Sequence, residues 1–173
     1  KLSKKPIGLD IQNHKDKNDL TIQTEWYDFN HKDKIFKAFE EVKKSNEEAG
    51  KHGMKNLLIM IDREGDLAVA SAAERKQGVI NHHKWVETAA ALGCHSIRIN
   101  LFGVTDPEAW AENSKESLLA LGTYAAAFNI NIMVENHGYL SSDAGLLMQV
   151  LNEVNLTNCG TLPDFGNFCI AEE

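Results

Sequence analysis

The sequence predicts an α/β protein with a parallel sheet, a (β/α) barrel cut short at about five of its eight strand–helix units. Three observations predict it. Short apolar runs alternate with longer stretches of helical periodicity, at a repeat of roughly 30 to 38 residues. No G-x-G-x-x-G or Walker loop follows an early strand, as an open doubly wound sheet would usually show. Every clear strand ends in a carboxylate or carboxamide, and a barrel brings such ends to one mouth. A complete barrel takes about 250 residues. This chain has 173, and residues 168–173 read as a loop leaving a strand.

The elements follow in chain order. Residues 1–19 are polar and Lys-rich and carry no clear element, so the segment 1–30 stays poorly placed in what is otherwise read as one partial barrel domain, 1–173. Leu20 to Tyr27 reads as a strand. Asp33 to about His52 reads as a helix, because Ile35, Phe36, Phe39, Val42 and Ala49 recur at helical spacing. Leu57 to Ile61 is a continuous apolar run, the pattern of a strand buried on both faces. Residues 72–92 form the next helix, with Val79, Ile80, His83, Val86, Ala90 and Ala91 on or near one face and Gly93 as its stop. Ser96 to Ile99 is a strand. Pro107 opens a helix that runs to about Phe128, with Leu118, Leu121, Ala125 and Phe128 as its stripe. Ile130 to Val134 is a strand, Asp143 to about Val154 a helix capped by Ser141 or Ser142, and Cys159 to Leu162 a short strand.

The strand ends carry the chemistry. The run 57–61 ends in Asp62, the next strand in Asn100, the third in Glu135-Asn136-His137, and the fourth in Asp164. Glu135 and Asp164 are one strand–helix unit apart and therefore belong to neighbouring strands. Their oxygens suit hard or borderline divalent cations such as Mg²⁺ and Mn²⁺. The competing reading of Glu135 is an ion pair with Arg98 on the adjacent strand. His137 is read as a substrate hydrogen-bond donor or as a partner of a metal ligand, against a loop histidine satisfied by backbone. His82 and His83 lie inside a helix and belong to its packing. Trp85 and Trp110 sit at helical positions, while Trp26 and Tyr27 would face the mouth if they end the first strand.

Composition narrows the classes. A hydrophobic fraction of 43% suffices for one core. A net charge of −7 repels a phosphate backbone and argues against nucleic acid as a partner. No apolar run approaches the roughly 20 residues of a membrane span. The three cysteines, 94, 159 and 169, have neither zinc-ribbon nor disulfide spacing; Cys94 and Cys159 read as small buried hydrophobes in a reducing, cytoplasmic compartment. The chain does not begin with Met, so a removed export signal stays compatible with it.

The segments LLIMIDREGDL, HHKWVETAAALGCHSIRIN, NIMVENHGYLSSDAGLLMQVLNEV and NCGTLPDFGNFCI resemble bacterial sugar phosphate isomerase/epimerase proteins of the xylose isomerase-like TIM barrel superfamily, over roughly residues 54–173. The pairing of V-E-N-H-G with L-P-D-F-G-N-F about 29 residues on is its most specific part. The resemblance implies a divalent metal at the barrel mouth, Mn²⁺ first, with Mg²⁺, Zn²⁺ or Co²⁺ as alternatives. It implies Glu, Asp, His and Glu as ligands from successive strands, the first two matching Glu135 and Asp164. It implies Glu135 as one member of an acid/base pair that moves a proton next to a carbonyl, through an enediolate. His137, Asn167, Asn100 and Asp62 would contact a carbohydrate substrate, and association into a homo-oligomer would be in keeping. One departure stands out: several of these enzymes carry His three residues after the strand-end Asp, and here that position is Asn167. The chain alone, without the later ligands, is expected to be inactive, and activity belongs to the full-length parent. The expected function is a metal-dependent isomerase or epimerase of a sugar or sugar-like keto compound. The alternatives are a non-catalytic sugar-binding barrel and an endonuclease IV-like metal-dependent nuclease.

Overall fold

In a computed structural model the described residues are 7–9, 22–24 and 32–167, with side chains described from residue 40 onward. Trp26, Tyr27 and Cys169 therefore lie outside the described residues, as do the side chains of Ile35, Phe36 and Phe39. The chain divides into two compact units, residues 1–56 with 91–93, and residues 57–90 with 94–173.

In the first unit, β1 (Ile7–Leu9) and β2 (Ile22–Thr24) pair antiparallel, with Ile7 opposite Thr24. β1 falls in the stretch where the sequence shows no element, because three residues are too few to display alternation. Helix α1 (Lys32–Lys51) fits its expected range. Gly53, at φ +65°, then turns the chain, and the Asn46 amide donates to the Ala91 carbonyl at 3.0 Å.

The second unit is a four-stranded parallel sheet in the order β3-β4-β5-β6, with helices between the strands. Its elements are β3 (Leu58–Met60), α2 (Ala72–Leu92), β4 (Ser96–Ile99), α3 (Pro107–Ala126), β5 (Asn131–Glu135), α4 (Ala144–Val154) and β6 (Cys159–Leu162). Residues paired in a parallel ladder share a face, so register decides what faces where. Ile59 pairs with Ile97, and Ile97 with Ile132. That face is the core: Ile97, Ile99, Ile132 and Val134 are fully buried, together with Val86, Leu118, Leu121 and Ala125. Each such side chain contributes about 1.5–3 kcal/mol. The opposite face holds the row Met60–Arg98–Met133–Gly160. By the two-residue strand period, Asp62, Asn100 and Glu135 stand one row nearer the C-terminal end.

Three expectations need correction. The run from Leu57 to Ile61 is not buried on both faces: Met60, on the side opposite Ile61, and Leu57, before the strand begins, are more than half exposed, while Ile61 is buried. The buried side of α2 is Arg75, Gly78, Val79, His82, Val86, Glu87 and Ala89; Ile80 is exposed, and Ala90 and Ala91 are only half-buried. The face is shifted because three buried polar side chains occupy it with partners of their own. The cap of α4 is neither Ser141 nor Ser142 but Asp143, whose Oδ1 accepts from the Leu146 amide at 3.0 Å. Both serines are used by a preceding 3-10 turn, Tyr139–Ser142. The start of α3 is as expected, with Pro107 in the first turn and Asp106 capping the Ala109 amide at 2.9 Å. Cys94 is buried and Cys159 half-buried, both as free thiols; burial raises both, Cys159 to about 11.

The loops above the strands are pinned rather than loose. Ala68 forms a bridge with Gly103, its amide donating to the Phe102 carbonyl at 2.8 Å and its carbonyl accepting from the Val104 amide at 3.0 Å. The Ser117 hydroxyl holds the Leu67 carbonyl at 2.6 Å, and Leu67 and Ala68 are fully buried. A Cβ on Gly103 would fall 2.0 Å from the Ala68 carbonyl carbon, so only glycine permits this approach. Gly103→Ala is expected to cost about 1–3 kcal/mol as the bridge opens. Urea unfolding measures it, and an unchanged midpoint would show that the two loops do not need the contact.

Candidate active site

The site grows from Arg98. Its Cα is on β4, one row below the strand ends, and its guanidinium reaches up between the neighbouring strands. Nη1 donates to the Ile61 carbonyl at 3.1 Å and to Asp62 Oδ1 at 2.8 Å. Nε lies 2.7 Å from Glu135 Oε2. Arg98 and Glu135 are both almost fully buried, whereas Asp62 is exposed. The ion pair weighed for Glu135 is thus present. It is a contact of charge rather than a directed hydrogen bond, because the N–H of Nε does not point along the line; both atoms lack a hydrogen-bond partner. The other oxygen, Oε1, is 3.0 Å from His137 Nδ1.

Asp62 also accepts from Asn100 Nδ2 at 3.1 Å. The Arg98 bond, followed by that from Asn100, holds the Asp62 carboxyl below its ordinary range. The Asn100 carbonyl oxygen is left buried without a donor. A cavity of about 610 Å³ opens over this cluster, lined among others by Asp62, Arg98, Asn100, His137 and Phe102. The Phe102 ring stands edge-on to His137, with centroids 5.9 Å apart, and to Tyr139, 6.3 Å away.

Four residues expected at the site, Asp62, Asn100, Glu135 and His137, therefore meet in one cluster. Asp164 and Asn167 stand in the loop after β6. Asp164 Oδ1 accepts from the Gly166 amide at 2.9 Å, which turns that carboxylate along its own loop. The Asn167 amide nitrogen Nδ2 is buried without a partner. Among the described residues, no three His, Cys, Asp or Glu side chains converge as a metal cluster. The donor chemistry still suits a divalent cation in part: Glu135 offers a buried oxygen with no hydrogen bond, and Asp164 is a second carboxylate at the next strand end.

Two participants carry no signal in the sequence pattern. His82 packs within α2 as expected, with Nδ1 on the Gly78 carbonyl at 2.7 Å, but it also lines the mouth cavity; burial lowers its affinity for a proton. Asn136 is buried, and its carboxamide grips the backbone of Asp164 twice. Oδ1 accepts from the Asp164 amide at 2.6 Å, and Nδ2 donates to the Asp164 carbonyl at 2.9 Å. A polar residue beside a strand end looks generic until the neighbouring strand is in place.

Residues 21–173 match the family model of the xylose isomerase-like TIM barrel, and the chain belongs to that family. The parallel sheet with alternating helices is accordingly part of an α/β TIM barrel. Three solved structures show the likeness. One is 3-keto-D-glucoside 4-epimerase, YcjR, from E. coli, at 14% identity and a TM-score of 0.65, covering 78% of this chain and 57% of that one. Another is D-psicose 3-epimerase in the presence of D-fructose, at 18% identity and a TM-score of 0.66, covering 78% and 51%. The third is a xylose isomerase-like TIM barrel protein from Mycobacterium smegmatis in complex with magnesium, at 14% identity and a TM-score of 0.57, covering 74% and 47%. The chain spans about half the length of these relatives. No curated protein matches it. Among the described residues, no helix is long and apolar enough to cross a membrane.

Proposed function

We propose that the protein is a metal-dependent isomerase or epimerase of a sugar or sugar-like keto compound, with Glu135 as metal ligand and proton-transfer base and Asp164 as a second ligand. The observation that carries this reading is the Glu135 carboxylate, buried at a strand end beside the polar cavity, whose Oε2 lies 2.7 Å from Arg98 Nε without a directed hydrogen bond. The Arg98 charge balances this carboxylate, and an oxygen without a directed hydrogen bond keeps lone pairs with which to hold a cation. A divalent cation would polarise a carbonyl and stabilise an enediolate. The epimerases among the solved relatives, one of them with D-fructose, support a carbohydrate as the substrate class.

The chain's own residues have distinct parts. The Glu135 carboxylate is one member of an acid/base pair: it takes the proton next to the carbonyl, and in an epimerisation a second group returns a proton to the opposite face. The Arg98 guanidinium offsets its charge and holds it at the strand end. His137, bonded to the other Glu135 oxygen, fixes that carboxylate from the solvent side. The unpaired Asn100 carbonyl and Asn167 amide accept from and donate to substrate hydroxyls. Asn167 cannot shuttle a proton, so no acid/base step falls to it.

The test is metal content of the protein produced at its full length, beside Glu135→Gln. Near-stoichiometric Mn²⁺, Mg²⁺, Co²⁺ or Zn²⁺ in the wild type and its loss in the variant is expected. Solvent deuterium should then enter ketoses next to the carbonyl with the wild type alone. If neither protein holds metal after Mn²⁺ is supplied, Glu135 and Asp164 are not ligands and the protein is a non-catalytic sugar-binding barrel.

A further inference from the structure

The β5–β6 ladder ends early. Its last register pair is Glu135 with Leu162; because the Ile132 amide donates to the Asn158 carbonyl, the even-numbered residues of the second strand face β5, and the next rung falls on Asp164. Asn136 takes over at that point. Its carboxamide reproduces a ladder rung from the side-chain level, one acceptor and one donor, and both bonds fall on the same residue, Asp164. The flipped amide would set donor against donor, so the orientation is unique. The backbone of Asn136 is tied as well: its carbonyl accepts from the Ser142 hydroxyl at 3.3 Å, and that hydroxyl accepts from the Gly138 amide at 2.9 Å. Asn136 is thus joined covalently to Glu135, by two hydrogen bonds to Asp164, and through Ser142 to the loop that carries His137.

We propose that Asn136 is a positioning residue that sets the spacing between the Glu135 and Asp164 carboxylates, and so the affinity of the site for a divalent cation. This rests on the reading of Glu135 and Asp164 as ligands. The geometry explains why a buried carboxamide is needed here: the Asp164 amide bonds to the Asn136 side chain, and an apolar side chain would leave that amide without its acceptor. Removing an outer partner of a metal ligand weakens binding by about 10–100-fold.

The experiment compares wild type, Asn136→Ala and Asn158→Ala at full length. Asn158 is the control, a carboxamide bonded to the Gly122 and Ile130 carbonyls at 2.8 and 3.3 Å, away from the strand-end cluster. Two readouts are taken: Mn²⁺ affinity by the loss of the free-ion electron paramagnetic resonance signal, and hydrogen exchange of the Asp164 amide without metal. Asn136→Ala is expected to weaken Mn²⁺ binding about 10–100-fold and to speed Asp164 exchange about tenfold or more, while Asn158→Ala changes neither. Asn136→Ser, which keeps a polar group in place, replaces the alanine variant if that one does not fold, with the same expected direction. Wild-type Mn²⁺ binding that Asn136→Ala leaves within about twofold overturns the positioning role and spares the metal reading. Equal weakening by Asn158→Ala overturns it too, since general loosening would then suffice. A wild type that binds no Mn²⁺ overturns both readings together.

Discussion

Arg98→Met in metal-free protein is expected to cost about 3–5 kcal/mol of unfolding free energy. The magnitude comes from what the substitution leaves behind. Arg98 and Glu135 are both almost fully buried, so methionine would strand a carboxylate in the interior without its cation. It would also remove the donor to the Ile61 carbonyl and to Asp62. The exposed Asp62 end adds little, because an ion pair with one partner in water is worth about 0–1 kcal/mol. Glu135→Gln in the same background should therefore recover much of the loss, since it removes the stranded charge. Urea unfolding of the two single variants and the double variant closes the cycle. A cost below about 1 kcal/mol for Arg98→Met, or no recovery in the double variant, would mean that the pair does not hold β4 and β5 together at the mouth.

Stability should also fall as pH rises through the slightly acid range, and Glu87 is the cause. It lies on the buried side of α2, 4% exposed, and accepts from the Tyr124 hydroxyl of α3 at 2.5 Å. Burial pushes its carboxyl up to about 7 from an ordinary 4.5, against the lowering effect of that hydroxyl. A folded value above the unfolded one means that the native state holds the proton more tightly. The Glu87 contribution is then most favourable below about 4.5, declines between about 4.5 and 7, and is level above. At roughly 1.4 kcal/mol per pH unit the decline amounts to at most about 3 kcal/mol. Glu87→Gln should flatten it and be the more stable protein above neutrality, because the amide oxygen still accepts from Tyr124. Unfolding midpoints of both proteins from pH 4.5 to 8 decide it through their difference, in which His82 and His83, both lowered by burial, cancel. A difference that does not change with pH would place the Glu87 charge in contact with water.

Much of this was legible in the sequence. Apolar runs broken by helical periodicity give the βα alternation directly, and the polar residues ending those runs point to the mouth. What was not legible has a common physical cause. The buried face of α2 includes Arg75, His82 and Glu87, and a hydrophobic pattern does not credit polar groups buried with partners. Ser142 and Asp143 are both good helix caps, and only the 3-10 turn decides between them. The Arg98–Glu135 contact depends on register: Arg98 pairs with Met133, which sets Glu135 one row higher and within guanidinium reach. Asn136 depends on a strand that is distant in sequence, and Phe102 reads as an ordinary loop aromatic until His137 and Tyr139 stand beside it.

The Ala68–Gly103 bridge bears on how the mouth could be re-engineered. With Leu67 and Ala68 sealed inside, the stretch Arg63–Asp66 is a short tether fixed at both ends, by β3 below and by the bridge beyond. Those four residues also line the cavity. Insertions beyond Ala68 would disturb the packing of α2 without reshaping the pocket. A library meant to change what the pocket admits should therefore vary Arg63 and Asp66, keep Glu64 and Gly65, which are held against α2, and leave Leu67, Ala68 and Gly103 untouched.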